Sequence, residues 1–228
     1  MAVLSGSPAI QITLRRSTRA RRISLRVSRL DGRVTLSLPA WMREAEAMAF
    51  AREKEAWIRA ALAEQPLAQP VGFGAVVPVE GQPLPIRPGA GRAPRLIDGA
   101  LEVPGDAERV AARVGAYLKV LARARLTAAC DTHAATLGRP YARLTLRDTR
   151  SRWGSCAPDG ALMFSWRLVM APPAVLDYVA AHEVAHLAEM NHSPAFWAVV
   201  ARLMPGYAAP RAWLKRHGQQ LHGYRFGD

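Results

Sequence analysis

Cysteine is nearly absent: Cys130 and Cys156 are the only two among 228 residues. Two thiols build neither a disulfide framework nor a four-cysteine zinc cage. Lysine is almost as scarce, confined to Lys54, Lys119 and Lys215, so the net charge of +13 comes almost wholly from arginine. No Gly-rich phosphate loop occurs, which argues against the common nucleotide-cradling folds. No early apolar run follows a charged start, which argues against a secretory signal. The alanine-rich stretch before His182 is interrupted by Asp177, His182 and Glu183, too polar for a membrane span. A reduced, cytoplasmic protein with no membrane association is the expectation. Hydrophobic residues make up 50% of the chain, enough for a sizeable core in two packed parts.

What is present divides by hydrophobic periodicity. Residues 10–16 and 22–28 alternate, with Ile23, Leu25 and Val27 facing one way and Arg22, Ser24, Arg26 and Ser28 the other. Asp31-Gly32 signals a hairpin turn before a strand at 34–38, which Pro39 ends. Residues 43–63 read as one helix carrying Phe50, Trp57, Ile58 and Leu62. The proline- and glycine-rich stretch 64–105 offers short strands at 75–80, 83–87 and 94–103. Val110, Val114, Leu118, Leu121 and Leu126 recur at helical spacing over 106–137, a helix ended by Gly138-Arg139-Pro140. Strands at 143–149 and 161–168 follow, and a further helix starts near Pro172-Pro173. The expected class is α+β: an antiparallel β-rich part with one helix over 1–105, and a second domain over 106–228.

Arg15, Arg16, Arg19, Arg21, Arg22, Arg26 and Arg29 form a run with no acid among them. The plain reading is a solvated basic sheet face. The sharper one is a surface for a polyanion such as nucleic acid.

The chemistry concentrates in His182-Glu183-Val184-Ala185-His186 and the following His192. On a helix, His182 and His186 lie about 40° apart around the axis and roughly 6 Å apart along it. Two imidazoles so placed can share one tetrahedral ion, while Glu183, about 100° from His182, reaches the open coordination position. Between Val179 and Met190 the only polar side chains are His182, Glu183, His186 and Glu189. Burying them without partners costs several kcal/mol, and a divalent metal supplies the partner. Asn191 is expected to stop the helix in a left-handed cap, with Ser193-Pro194 opening a new helix over 195–204 closed by Pro205-Gly206. His192 sits in that elbow as candidate third ligand. Glu189 is its rival, preferred as an acceptor for a ring N–H of a ligating histidine. His133, His217 and His222 lack such spacing and read as surface or structural residues.

The motifs Arg152-Trp153-Gly154-Ser155-Cys156, Phe164-Ser165-Trp166-Arg167-Leu168, Asp177-Tyr178-Val179, His182 to Leu187, Asn191-His192-Ser193 and Phe196-Trp197 together resemble the YgjP-like, SprT-related zinc metallopeptidase family. That resemblance implies a zincin-like domain with His182, His186 and His192 binding Zn2+ and Glu183 as general base. The expected function is hydrolysis of peptide bonds in a peptide or unfolded protein. The strand at 161–168 is the candidate substrate-facing strand. Arg152, Trp153, Trp166 and Tyr207 are candidate substrate contacts. Two rivals stand beside it: a metal-dependent nucleoside triphosphate pyrophosphatase or phosphohydrolase, suited to the arginine excess, and a basic nucleic-acid-binding module with structural zinc. The last gives no reason for Glu183.

Overall fold

The computed structural model describes residues 2–28, 32–63 and 68–227. The chain divides into two compact units, residues 1–67 and 68–228. In the first, β1 (Ala2–Leu4), β2 (Ile10–Ser17), β3 (Ser24–Val27) and β4 (Val34–Pro39) form one sheet in the order β1-β2-β4-β3. The sheet is mixed rather than antiparallel. β4 lies between β2 and β3, pairing parallel to β2 and antiparallel to β3. The expected Asp31-Gly32 turn, like Arg29 of the basic run, falls partly outside the described residues. Ile10, Ile12, Val34, Leu36 and Leu38 bury one sheet face. In place of the single expected helix, two cover it: α1 (Glu44–Glu53) and α2 (Glu55–Ala63). Lys54 leaves helical geometry between them, at φ −95° and ψ 12°. Neither proline nor glycine marks that break in the sequence.

The second unit begins before the expected 105/106 boundary, because the proline-rich stretch builds its core. After β5 (Gln69–Pro70) come β6 (Val76–Val79), β7 (Gln82–Pro88), β8 (Arg95–Ile97) and β9 (Ala100–Val103), in the sheet order β6-β7-β9-β8. The expected strand at 94–103 is therefore a hairpin. Asp98 and Gly99 both take positive φ, the signature of its two-residue turn, as Glu80 and Gly81 do between β6 and β7. Val77, Val79, Leu84, Ile86, Leu101 and Val103 join one hydrophobic cluster with Val110, Val114 and Leu118 of α3 (Ala107–Leu137). Gly138 closes α3 in the left-handed conformation, its N–H bonding Ala134 O.

A three-stranded sheet follows, built from β10 (Arg143–Arg147), β11 (Gly154–Cys156) and β12 (Ala161–Ser165) in the order β10-β12-β11. A 3-10 turn over Trp166–Met170 leads into α4 (Pro173–Ala185), then α5 (Pro194–Leu203) and α6 (Ala208–His217). The terminal β13 (Tyr224–Arg225) pairs with β5. Among the described residues, no helix is long and apolar enough to cross a membrane.

Candidate metal centre

α4 is apolar around nearly its whole circumference; Val175, Leu176, Tyr178, Val179, Ala180, Ala181, Val184 and Ala185 are all buried. A His133 ring nitrogen lies 2.7 Å from an Asp177 carboxylate oxygen and ties α3 to α4. The helix ends sooner than expected, at Ala185, with His186 following in helical geometry. Asn191 is not a left-handed cap. Its Oδ1 instead accepts the Ser193 N–H at 3.1 Å, and Ser193 Oγ accepts the Phe196 N–H as the N-cap of α5. Those two bonds turn the chain at His192.

The turn brings three imidazoles together. Nitrogens of His182, His186 and His192 lie within 4.8 Å of one another, with His182 Nε2 and His192 Nε2 3.1 Å apart. Zn–N bonds of 2.0–2.1 Å in a tetrahedral site place neighbouring nitrogens roughly 3.3 Å apart, so the His182–His192 pair stands near that spacing and the three rings converge closely enough to close on such an ion. The His186 Nδ1–H donates to Glu189 O at 2.9 Å, leaving its Nε2 lone pair for a metal. Glu189 thus accepts from a ring N–H of one of the three histidines, through its backbone carbonyl. Burial holds His182 down at about 4 and lowers His186, keeping both rings neutral, the form that ligates. Phe196 packs against all three rings at centroid distances of 4.4–4.9 Å. Three protein ligands and one open side are the pattern of a catalytic rather than a structural site.

Glu183 is 6% exposed, and burial pushes its carboxyl up to about 7 against the opposing pull of Arg152 and the Cys156 backbone N–H. Its seat exists because residue 154 has no side chain. A Cβ on Gly154 would lie 2.6 Å from Glu183 Cγ and Oε1. The Gly154 backbone is not in the left-handed region, so the requirement is purely steric. Glu183, the three histidines, Arg152, Gly154 and Cys156 line one cavity of about 490 Å³. The Cys156 thiol is pushed up to about 11 by burial and stays protonated, so it offers no nucleophile.

The edge strand at this cavity is β11; the expected β12 is the central strand of its sheet. Trp153 O accepts from Ser165 N, and Ala157 N donates to Ala161 O. Alternation then turns the backbone of Gly154 and Cys156 to the open edge. Of the expected substrate contacts, Arg152 lines the cavity. Trp153 stacks on His222 at 4.8 Å and walls a neighbouring groove with Tyr178 and Arg211. Tyr207 stacks on Tyr178 and Trp197, both beside His182. Trp166 is apart from the site, buried edge-on against Phe226. Gly154 had no sign of a site role in the sequence beyond its place in the Arg152-Trp153-Gly154-Ser155-Cys156 motif, whereas Cys156, following the Trp-Gly-Ser turn, reads as able to line the cleft and does so.

A convergent histidine triad flanked by a buried carboxylate defines a metallohydrolase-type centre. A family model described as the YgjP-like metallopeptidase domain matches residues 21–217, and the chain belongs to that family. A solved structure similar to part of it is the metallopeptidase zymogen of Pyrococcus abyssi abylysin. The match has 18% identity and a TM-score of 0.37, covering 41% of this chain and 93% of that one. No curated protein matches the chain significantly.

Proposed function

We propose that the protein is a zinc-dependent peptidase with His182, His186 and His192 as metal ligands and Glu183 as general base. The observation that carries this is Glu183, buried against Gly154 within the cavity that the three imidazoles line. A zinc ion held there supplies Lewis-acid activation of water and of the target carbonyl. An extended peptide pairs with the open edge of β11 through the backbone of Gly154 and the Cys156 carbonyl, the Cys156 N–H being held by Glu183, and this orients the bond to be cut. Glu183 takes a proton from the attacking water and delivers it to the leaving amine. The Arg152 guanidinium, close enough to lower the Glu183 carboxyl, offers positive charge to the oxygen of the scissile carbonyl. Among the described residues no fourth ligand joins the triad, which speaks against a purely structural zinc.

The test is one preparation assayed on an unfolded protein and on nucleoside triphosphates, with and without chelator, beside Glu183→Gln. Chelator-sensitive peptide cleavage that Glu183→Gln reduces by roughly 10²–10⁴-fold at unchanged metal content is expected. Phosphoanhydride hydrolysis without peptide cleavage, or a metal-loaded and fully active Glu183→Gln, would overturn the proposal.

A further inference from the structure

A second cavity, outside the candidate metal centre, is built from positive charge. It is mostly enclosed, about 250 Å³, and lies where α3, the 3-10 turn and the terminal strand β13 meet. Lys119, Arg150, Arg167 and Arg225 line it, and among the described residues they face a single carboxylate, Asp148. That carboxylate is already committed: Arg167 binds both its oxygens, at 2.7 and 3.0 Å. Arg167 is itself buried and also donates to Leu221 O and Tyr224 O. Lys119, Arg150 and Arg225 therefore remain, and among the described residues none of them forms an ion pair.

A second and independent observation is Trp166. It lines the same cavity, is 3% exposed, and its indole Nε1–H has no hydrogen-bond partner. Buried donors are normally satisfied, and leaving one unpaired costs about 1–3 kcal/mol. A cavity of about 470 Å³ that shares Lys119, Asp148 and Trp166 adds Arg123 and Arg147 and, among the described residues, no further acid. Like charges gathered beside the Trp166 ring suit a small multivalent anion, which several guanidinium groups bind in forked fashion.

We infer that this cavity binds a phosphate-class oxyanion, free or carried on a small molecule, at a site separate from the histidine triad. The proposal does not rest on the peptidase reading. It does bear on the same segment, because Arg150 precedes Arg152 by two residues and an anion held by Arg150 steadies the stretch that carries Arg152 into the candidate active site.

The test is calorimetric titration of the metal-loaded full chain with inorganic phosphate and, separately, with a nucleoside 5′-monophosphate. Arg150→Ala/Arg225→Ala and Trp166→Phe are titrated alongside, after circular dichroism has established that each folds. Saturable binding is expected, weakened at least tenfold by the double substitution and severalfold by Trp166→Phe, which removes the N–H and keeps an aromatic ring. Tighter binding of the monophosphate with the same dependence identifies an esterified phosphate as the ligand; equal binding identifies the free ion. No saturable binding of either, or binding that both variants leave unchanged, overturns the site.

Discussion

Gly154→Ala isolates the seat of the proposed general base. The added methyl would sit 2.6 Å from Glu183 Cγ and Oε1 and 2.8 Å from Cδ. Carbon contacts settle near 3.5–4.0 Å, so the carboxylate must retreat by about 1 Å. β11 has little freedom to yield instead, since it is paired to β12 from Gly154 to Cys156. A retreat of that size also strains the Cys156 N–H bond that holds the carboxylate. Misplacing a reacting group by about 1 Å costs on the order of 10²-fold in rate. Overpacking at a buried site costs about 1–3 kcal/mol in stability. The histidine ligands are untouched by the methyl, so metal content should stay at the wild-type level. The assay is kcat on an unfolded protein substrate at saturating metal, with metal content measured on the same sample. A folded, metal-loaded Gly154→Ala with kcat within twofold of wild type would refute the steric argument and the role given to Glu183.

His192→Ala should weaken metal retention by more than roughly 100-fold, since losing a ligand costs more than losing its outer partner. Glu189→Ala should leave retention nearly unchanged, because only its backbone carbonyl touches His186; dialysis against a competing chelator reads both, and the reverse order would make Glu189 the ligand. A third prediction concerns pH. Burial, with help from Arg167, holds His222 down at about 4, below the ordinary 6.5. The unfolded chain then takes up this proton first as pH falls, so the stability tied to a neutral His222 is present above 6.5 and lost between 6.5 and about 4. The full loss is about 3 kcal/mol. Urea unfolding at pH 7 and pH 4.5 should show a smaller decline for His222→Phe than for wild type; equal declines would mean the ring is not held neutral.

Much of the second unit was legible in local pattern. The 31-residue α3 follows from its apolar spacing and its glycine stop, and α5 from Ser193-Pro194. Periodicity did not resolve features that depend on neighbours distant in sequence. The break at Lys54 carries no breaker residue. The position of β4 between β2 and β3 is a matter of strand order, which alternation does not encode. The stretch 64–105 read as part of the first domain, yet Val71, Val77, Val79, Leu84, Ile86, Leu101 and Val103 belong to the hydrophobic cluster of the second unit. Trp153 and Trp166 stand close in the sequence, but one lies beside the candidate site and the other away from it.

By itself, the sequence determined the pair His182 and His186, because helical geometry alone sets residues four apart on one side. It also determined the elbow at His192, because a serine cap and a proline leave the chain little else to do there. Only the tertiary structure decided which strand edge faces the imidazoles, and why residue 154 must be glycine. Both depend on how closely β11 approaches α4, a distance fixed by packing across the whole unit rather than by any local run of residues.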